Sequence, residues 1–310
     1  MKYRNLGSTG LKVSVVGVGT WQFGGEWGKD FTQEEVDRIL ARAADLGMNI
    51  IDTAECYGDH VSETLIGHAI HPQRDKWILA TKFGHKFQDH MNRSEPRSPR
   101  DVRQQLEDSL RALKTEHIDI YQYHSWADDQ FDDRAVLDVL NKQRESGRIR
   151  HIGNSVSGKN SMHQIDASRE RGIEVIQIIY NRLDRRAEES AFASCTRQNL
   201  GALARVPLAS GYLSGKYKPG ATFPETDVRA GHSRESMDQK LAEVQRIARE
   251  EVPPGVPIAT WALAWCLQHP AVASVIPGCK NVEQVEQNAR AAELDLVGND
   301  HAQACRGNDQ

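Results

Sequence analysis

The sequence predicts an α/β fold, a (β/α)8 barrel, and three observations carry the prediction. Short apolar runs recur about every 25 to 45 residues with amphipathic helical segments between them, the alternation that builds a parallel barrel. The 310-residue length exceeds the roughly 250 residues typical of such a barrel by enough for a terminal hairpin and long loops. Ionisable residues gather where the apolar runs end, and that is the rim on which barrels place their chemistry.

Residues 2–6 and 11–16 read as a hairpin turning at Ser8-Thr9-Gly10, a cap placed before the barrel begins. The first barrel strand falls in residues 16–21. Its Gly17-x-Gly19 invites a dinucleotide-fingerprint reading, but Gln22 stands where the third glycine belongs and a glycine-rich loop follows where a helix should open. Thr32 and Glu35 then form a capping box for a helix with Val36, Ile39, Leu40 and Ala43 on one face, ending near Gly47. Ile50 and Ile51 are the second strand, and 62–70 a short helix. Residues 77–83 are the third strand. Ser98-Pro99 opens a helix with a cap and a first-turn proline, and Val102, Leu106, Leu110 and Leu113 form its inward stripe. Strand four is 118–124, followed by a helix over 135–144. Strands five to eight are read at 151–155, 175–181, 202–206 and 274–277. The connection 207–234 is rich in Gly, Pro and Lys and too long for an ordinary link, so it is expected to be a flap over a bound ligand. The reading is one barrel domain over 1–296 and a polar, disordered tail over 297–310.

Composition narrows the function. The chain is 39% hydrophobic with a formal net charge of -4 and no long block of one sign, so it advertises neither a nucleic-acid surface nor a membrane surface. Its N-terminus lacks an apolar signal core, and no run approaches the roughly 20 apolar residues of a membrane span, so a cytoplasmic protein acting on a small molecule is expected. Cys56, Cys195, Cys266, Cys279 and Cys305 are odd in number and scattered, without a Cys-x-x-Cys pair, so reduced thiols and no metal site are expected. A metal-dependent barrel hydrolase would need ligands on the first strand, and Gly17-Val-Gly-Thr-Trp21 offers none.

The rim residues are Asp52 and Tyr57 after strand two, Lys82 on strand three and His124 on strand four. A nearby ammonium favours an ionised phenol, so Lys82 is expected to lower the Tyr57 pKa. Asp52 would hold Lys82, and His124 would orient a substrate carbonyl. Singly each has a structural reading as cap, ion pair or core edge. Four suitable types on consecutive elements point together to carbonyl reduction. Glu55 has no role on that rim.

Asp52-Thr-Ala-x-x-Tyr57-Gly58, Ala80-Thr-Lys82 and His124 resemble the catalytic tetrad of the aldo-keto reductases. The resemblance extends through Gly17-x-Gly-Thr-Trp21, Gly147-Arg-Ile-Arg-His-Ile-Gly153, Pro207-Leu-Ala-Ser-Gly211, Gly215-Lys-Tyr217 and Ile276-Pro-Gly278. It implies NADPH, with NADH the alternative, bound extended across the barrel mouth without a Rossmann domain. By the same resemblance, Ser155 and Gln177 hold the nicotinamide carboxamide, and Arg205 and Val206 run past the ring. Gly19, Thr20, Trp21 and Asp52 border it. The family often has asparagine where Val156 stands, so Asn154 is expected to replace that contact. Pro207, Leu208, Ser210, Gly211 and Leu213 correspond to the loop over the pyrophosphate, with Lys216 on a phosphate. Gly278, Lys280 and Gln284 mark the adenosine end, where Asn281 and Gln284 cap the last helix and favour an anion. Gln284 stands where many NADPH-specific relatives have arginine, which leaves Lys280 to meet the 2'-phosphate. Gln287 and Asn288 match the adenine-contacting pair. Trp21, Tyr57, His124 and Trp126 would line the substrate opening, with core packing expected for Trp27. Some relatives are slow, nucleotide-binding β subunits of channels, and the tetrad does not separate that role from an enzyme's.

Overall fold

Residues 1–158 and 160–294 are described by a computed structural model of the chain. Eight parallel strands form one curled sheet in chain order: Val18–Gly19, Ile50–Asp52, Ile78–Phe83, Ile118–His124, Ile149–Ser155, Ile173–Ile179, Gly201–Arg205 and Val272–Val275. The Gly17 and Gly19 amides donate to the Val275 and Pro277 carbonyls at 2.9 Å, so the first strand meets the eighth and the barrel closes. These are the eight runs read from the sequence. Their bounds differ by a few residues, most at the first, where only Val18–Gly19 pairs as a strand.

The helices between them start where their caps direct. Thr32 Oγ1 accepts from the Glu35 amide and the Glu35 carboxylate accepts from the Thr32 amide, opening Gln33–Asp45. Val36, Ile39, Leu40 and Ala43 then bury one face. Ser98 with Asp101 does the same for Pro99–Ala112.

Period-two alternation decides which side chains enter the barrel. Ile50, Ala80, Ile120, Val175, Leu203 and Ala273 point inward as one apolar layer. The N-terminal hairpin, Tyr3–Asn5 against Lys12–Ser14, plugs the base beneath that layer with Leu6 and Val13, both fully buried. Side chains of that size each contribute about 1.5–3 kcal/mol when removed from water. Two residues onward along the same inward face come Asp52, Lys82, Gln122, Gln177 and Arg205. The barrel interior therefore changes from apolar to polar in one step, and the polar layer sits beneath the mouth.

Two connections shape that mouth. The polar loop after the third strand folds into a hairpin, Lys86–Asp89 with Asn92–Ser94. The 207–234 connection is ordered into turns at Ala209–Ser214 and Val228–Gly231. It leaves the barrel abruptly, because Val206 takes a φ of 54°, a strained conformation for a β-branched residue. Asn181 Nδ2 holds that turn by donating to the Val206 carbonyl. The expected polar tail lies outside the described residues.

Candidate active site

Lys82 organises the polar layer. Its ammonium donates to Asp52 Oδ2 at 2.7 Å, the Thr53 carbonyl at 2.8 Å and Tyr57 Oη at 3.3 Å, which uses all three protons. Asp52 Oδ1 accepts from Gln177 Nε2 at 2.6 Å and Gln122 Nε2 at 3.2 Å. The carboxylate is thus held on both oxygens. Because Lys82 donates to the Tyr57 oxygen, the phenol's own hydrogen is left for the cavity.

The Tyr57 pKa departs from the sequence expectation. Burial pushes it up to about 12, Lys82 opposes this without prevailing, and the charge of Asp52 pushes the same way as burial. Tyr57 is consequently a neutral phenol. Burial pulls the Lys82 pKa down, but Asp52 and Tyr57 outweigh that and hold it above its ordinary value. His124 is held well below the ordinary histidine range, first by burial and then by the positive fields of His85 and Lys82, so its ring is neutral. It lies edge-on to Tyr57, ring centroids 6.3 Å apart, with His85 stacked on its far side at 4.6 Å.

A cavity of about 430 Å³ opens above these groups, within the range usual for small-ligand sites. Asp52, Tyr57, His124, Ser155 and Gln177 form its floor. Lys82 lies behind them, almost fully buried. Ser155 Oγ donates to Gln177 Oε1 at 3.2 Å. Gly19, Thr20 and Trp21 border one side, with Trp21 stacked on Tyr57 at 5.9 Å. Arg205, Val206, Pro207, Leu208, Ser210 and Gly211 run along the other. At the far end lie Lys216, Gly278, Lys280 and Gln284, with Gln287 and Asn288 beyond. There the Asn281 side chain accepts from the Gln284 amide at the start of Val282–Ala289, and Gln284 Oε1 accepts from the Lys280 amide.

Four sequence expectations are corrected. Leu213 is fully buried in the outer apolar core and does not line the cavity. Trp126 packs against Phe83 and Tyr123 with Arg97 over its ring; Ser125, at a φ of 55°, turns the chain away from the mouth, and residues 125–133 supply none of the lining. Asn154 cannot replace a carboxamide contact, since it alternates outward from Ser155 and donates to Gln164 Oε1 in the outer layer. Trp27 is 7% exposed yet does line the cavity, edge-on to Trp21 at 5.2 Å.

Other lining groups went unread. His85, Met91 and Arg93 come from the 85–97 loop, whose conformation leaves no local signal. Gln122, which lies beneath the lining and donates to Asp52, was legible, since it shares parity with Ile120 and His124. Glu26 links two loops: its carboxylate accepts from Trp21 Nε1 in its own loop and from the Met91 amide and Arg93 in the hairpin after the third strand. Glu55 is buried, its carboxyl held well above the usual carboxylate range chiefly by burial and then by Glu63, and it stands outside the cavity lining. Burial pushes the Cys56 thiol up to about 12, which makes it a poor nucleophile. Cys56 Sγ and one nitrogen each of His85 and His124 lie within 4.8 Å of one another, but the two imidazoles stack rather than converge.

A sequence model described as the aldo/keto reductase family matches residues 15–306. The chain belongs to that family. Two relatives from Bacillus subtilis (strain 168) align along most of this family member. Aldo-keto reductase YhdN is 30% identical over 92% of this chain and 87% of its own length. The uncharacterized oxidoreductase YqkF is 32% identical over 94% and 91%. Among solved structures, the holo form of aldo-keto reductase AKR11C1 from Bacillus halodurans superposes with a TM-score of 0.82 at 30% identity, covering 98% of this chain and 95% of that one. The glycerol dehydrogenase AKR11B4 from Gluconobacter oxydans gives 0.80 at 28% identity, with 95% and 91% covered. This aldo-keto reductase is therefore an oxidoreductase of a family that uses nicotinamide cofactors. Its cavity suits one: the polar side chains of Ser155 and Gln177 sit at the end beside Tyr57, and Lys216 and Lys280 supply cations along the other. No helix among the described residues is long and apolar enough to cross a membrane.

Proposed function

We propose that the protein reduces an aldehyde or ketone to an alcohol, with NADPH as reductant and Tyr57 as the proton donor. The observation that carries the reading is the Asp52–Lys82–Tyr57 chain, in which every ammonium proton is committed and the Tyr57 hydroxyl proton is left for the cavity. Ser155 and Gln177 would hold the carboxamide of a reduced nicotinamide, which would supply the hydride. Tyr57 gives its proton to the developing alkoxide. The phenolate left behind is stabilised by Lys82, whose charge Asp52 keeps in place. Neutral His124 donates to the carbonyl and orients it, adding stabilisation where negative charge grows. Trp21, Trp27 and Met91 give the substrate an apolar wall.

Preference for NADPH over NADH rests on Lys280. Its Nζ donates to the Trp27 carbonyl at 2.6 Å, and Gln284 brings no charge to help it with a 2'-phosphate. One similar structure is named a glycerol dehydrogenase, which supports a small polyol and its carbonyl as the substrate class.

The test combines binding with multiple turnover. Tyr57→Phe should bind NADPH, more tightly than NADH, as the native protein does, while reduction across an aldehyde and ketone panel falls by about 100- to 10,000-fold. Turnover within a few-fold of native would remove Tyr57 as the acid. A native protein that binds nucleotide but turns over no carbonyl would instead favour a regulatory, channel-subunit type of role.

A further inference from the structure

Arg205 carries a charge that nothing in the catalytic layer balances. It ends the seventh strand on the inward parity, two residues after Leu203, and lines the cavity. Its Nη2 donates to the Val156 carbonyl at 3.0 Å, while its Nε is buried without a partner. No ion pair to it occurs among the described residues; Asp52 and Asp184 act on it only through space. The other charges nearby cancel: Lys82 pairs with Asp52, Arg93 pairs with Glu26, and Tyr57 and His124 are neutral. A guanidinium does not lose its proton at any ordinary pH. The inner end of the cavity therefore holds one uncompensated positive charge, beside the Ser155–Val156 strand end.

We propose that Arg205 makes this site discriminate between the two redox states of the nicotinamide, accepting the neutral reduced ring and disfavouring the cationic oxidised ring. This rests on the reading that the ring lies at Ser155 and Gln177. The two rings have nearly the same shape and the same carboxamide, so hydrogen bonds cannot tell them apart. Charge can. In an enclosed site of low effective dielectric, like charges several ångströms apart repel far more strongly than in water. The outcome is a protein that releases oxidised nucleotide readily and is weakly inhibited by it, which suits a cell where both forms are present.

The experiment measures dissociation constants for NADPH and NADP+ by quenching of protein fluorescence, with no substrate and no turnover. For the native protein the oxidised form should bind more weakly. Arg205→Met should narrow the ratio of the two constants by about tenfold, mainly by tightening NADP+, whereas Arg205→Lys, which keeps the charge, should retain most of it. Thermal melts of both variants separate this from a folding defect, and Arg205→Gln serves if the methionine variant does not fold. An unchanged ratio in the charge-free variant overturns the proposal, as does a lysine variant that loses discrimination equally. If the charge-free variant instead loses only its affinity for carboxylate-bearing carbonyls, the guanidinium serves substrate and the proposal also falls. A native protein that binds neither nucleotide would refute the cofactor reading itself, a separate result.

Discussion

Tyr57 receives opposing influences from its surroundings. Lys82 draws the phenol toward ionisation, yet the apolar enclosure that brings the two together costs the phenolate more, and the resulting pKa of about 12 keeps the proton on. The sequence identifies both side chains but not the depth at which they sit, and depth fixes the sign. A pKa raised above the ordinary 10 means that the donor form persists to higher pH. His124, shifted below its ordinary 6.5, adds no titration near neutrality. The reductive rate should therefore be flat between pH 6 and 9. Alcohol oxidation, which needs the phenolate as base, should climb by roughly tenfold per pH unit over the same range. Steady-state profiles in both directions check this, and a reductive profile falling through a midpoint near 8 would contradict it.

At the scale of elements, the loops after the first two strands meet backbone to backbone. A Cβ added at Gly24 would lie 2.5 Å from the Tyr57 carbonyl carbon and 2.8 Å from the Gly58 nitrogen, where no flexible side chain can yield. Gly24→Ala should push the Tyr57 turn off its Lys82 partner. The expected result is a loss in kcat of about 100-fold, with a much smaller change in nucleotide affinity. Parallel melting and binding measurements would show whether the damage is local. Elements were also where the sequence was most legible. Eight apolar runs gave the eight strands, because strands buried on both faces read as continuous Val, Ile and Leu. Strand parity accounts for the inward residues Asp52, Lys82, Gln122, Gln177 and Arg205. It failed just beyond strand ends: Trp126 follows a left-handed Ser125, so an aromatic that seemed aimed at the mouth turned into the core. The Lys86–Ser94 hairpin, which contributes Met91 and Arg93, has too little periodicity to be seen in advance.

Across the whole molecule, the cavity is roofed by a link between distant parts of the chain. Trp27 pairs with Asp227, the Gly28 amide donates to the Thr226 carbonyl, and the Val228 amide donates to the Glu26 carbonyl. The Glu26 carboxylate fastens the same roof to Arg93 and Met91. An elongated nucleotide has to pass beneath this link, so binding should proceed through an opening step. Glu26→Gln, which keeps the shape and weakens the pairing, should speed nucleotide association and release together by about fivefold while the dissociation constant moves less. Stopped-flow fluorescence of Trp21 and Trp27 would follow it, and a change confined to release would argue for lost contacts instead of a looser roof.

The hairpin plug gives the protein a single doorway. With Leu6 and Val13 sealing the base, whatever arrives last at the mouth stands in front of whatever arrived first. In the proposed reaction, with nucleotide along the floor and carbonyl above it, this imposes a queue: the alcohol would depart before the spent nucleotide. The proposed turnover cycle would then inherit its sequence of arrivals and departures from the two short strands of a hairpin at the opposite end of the barrel.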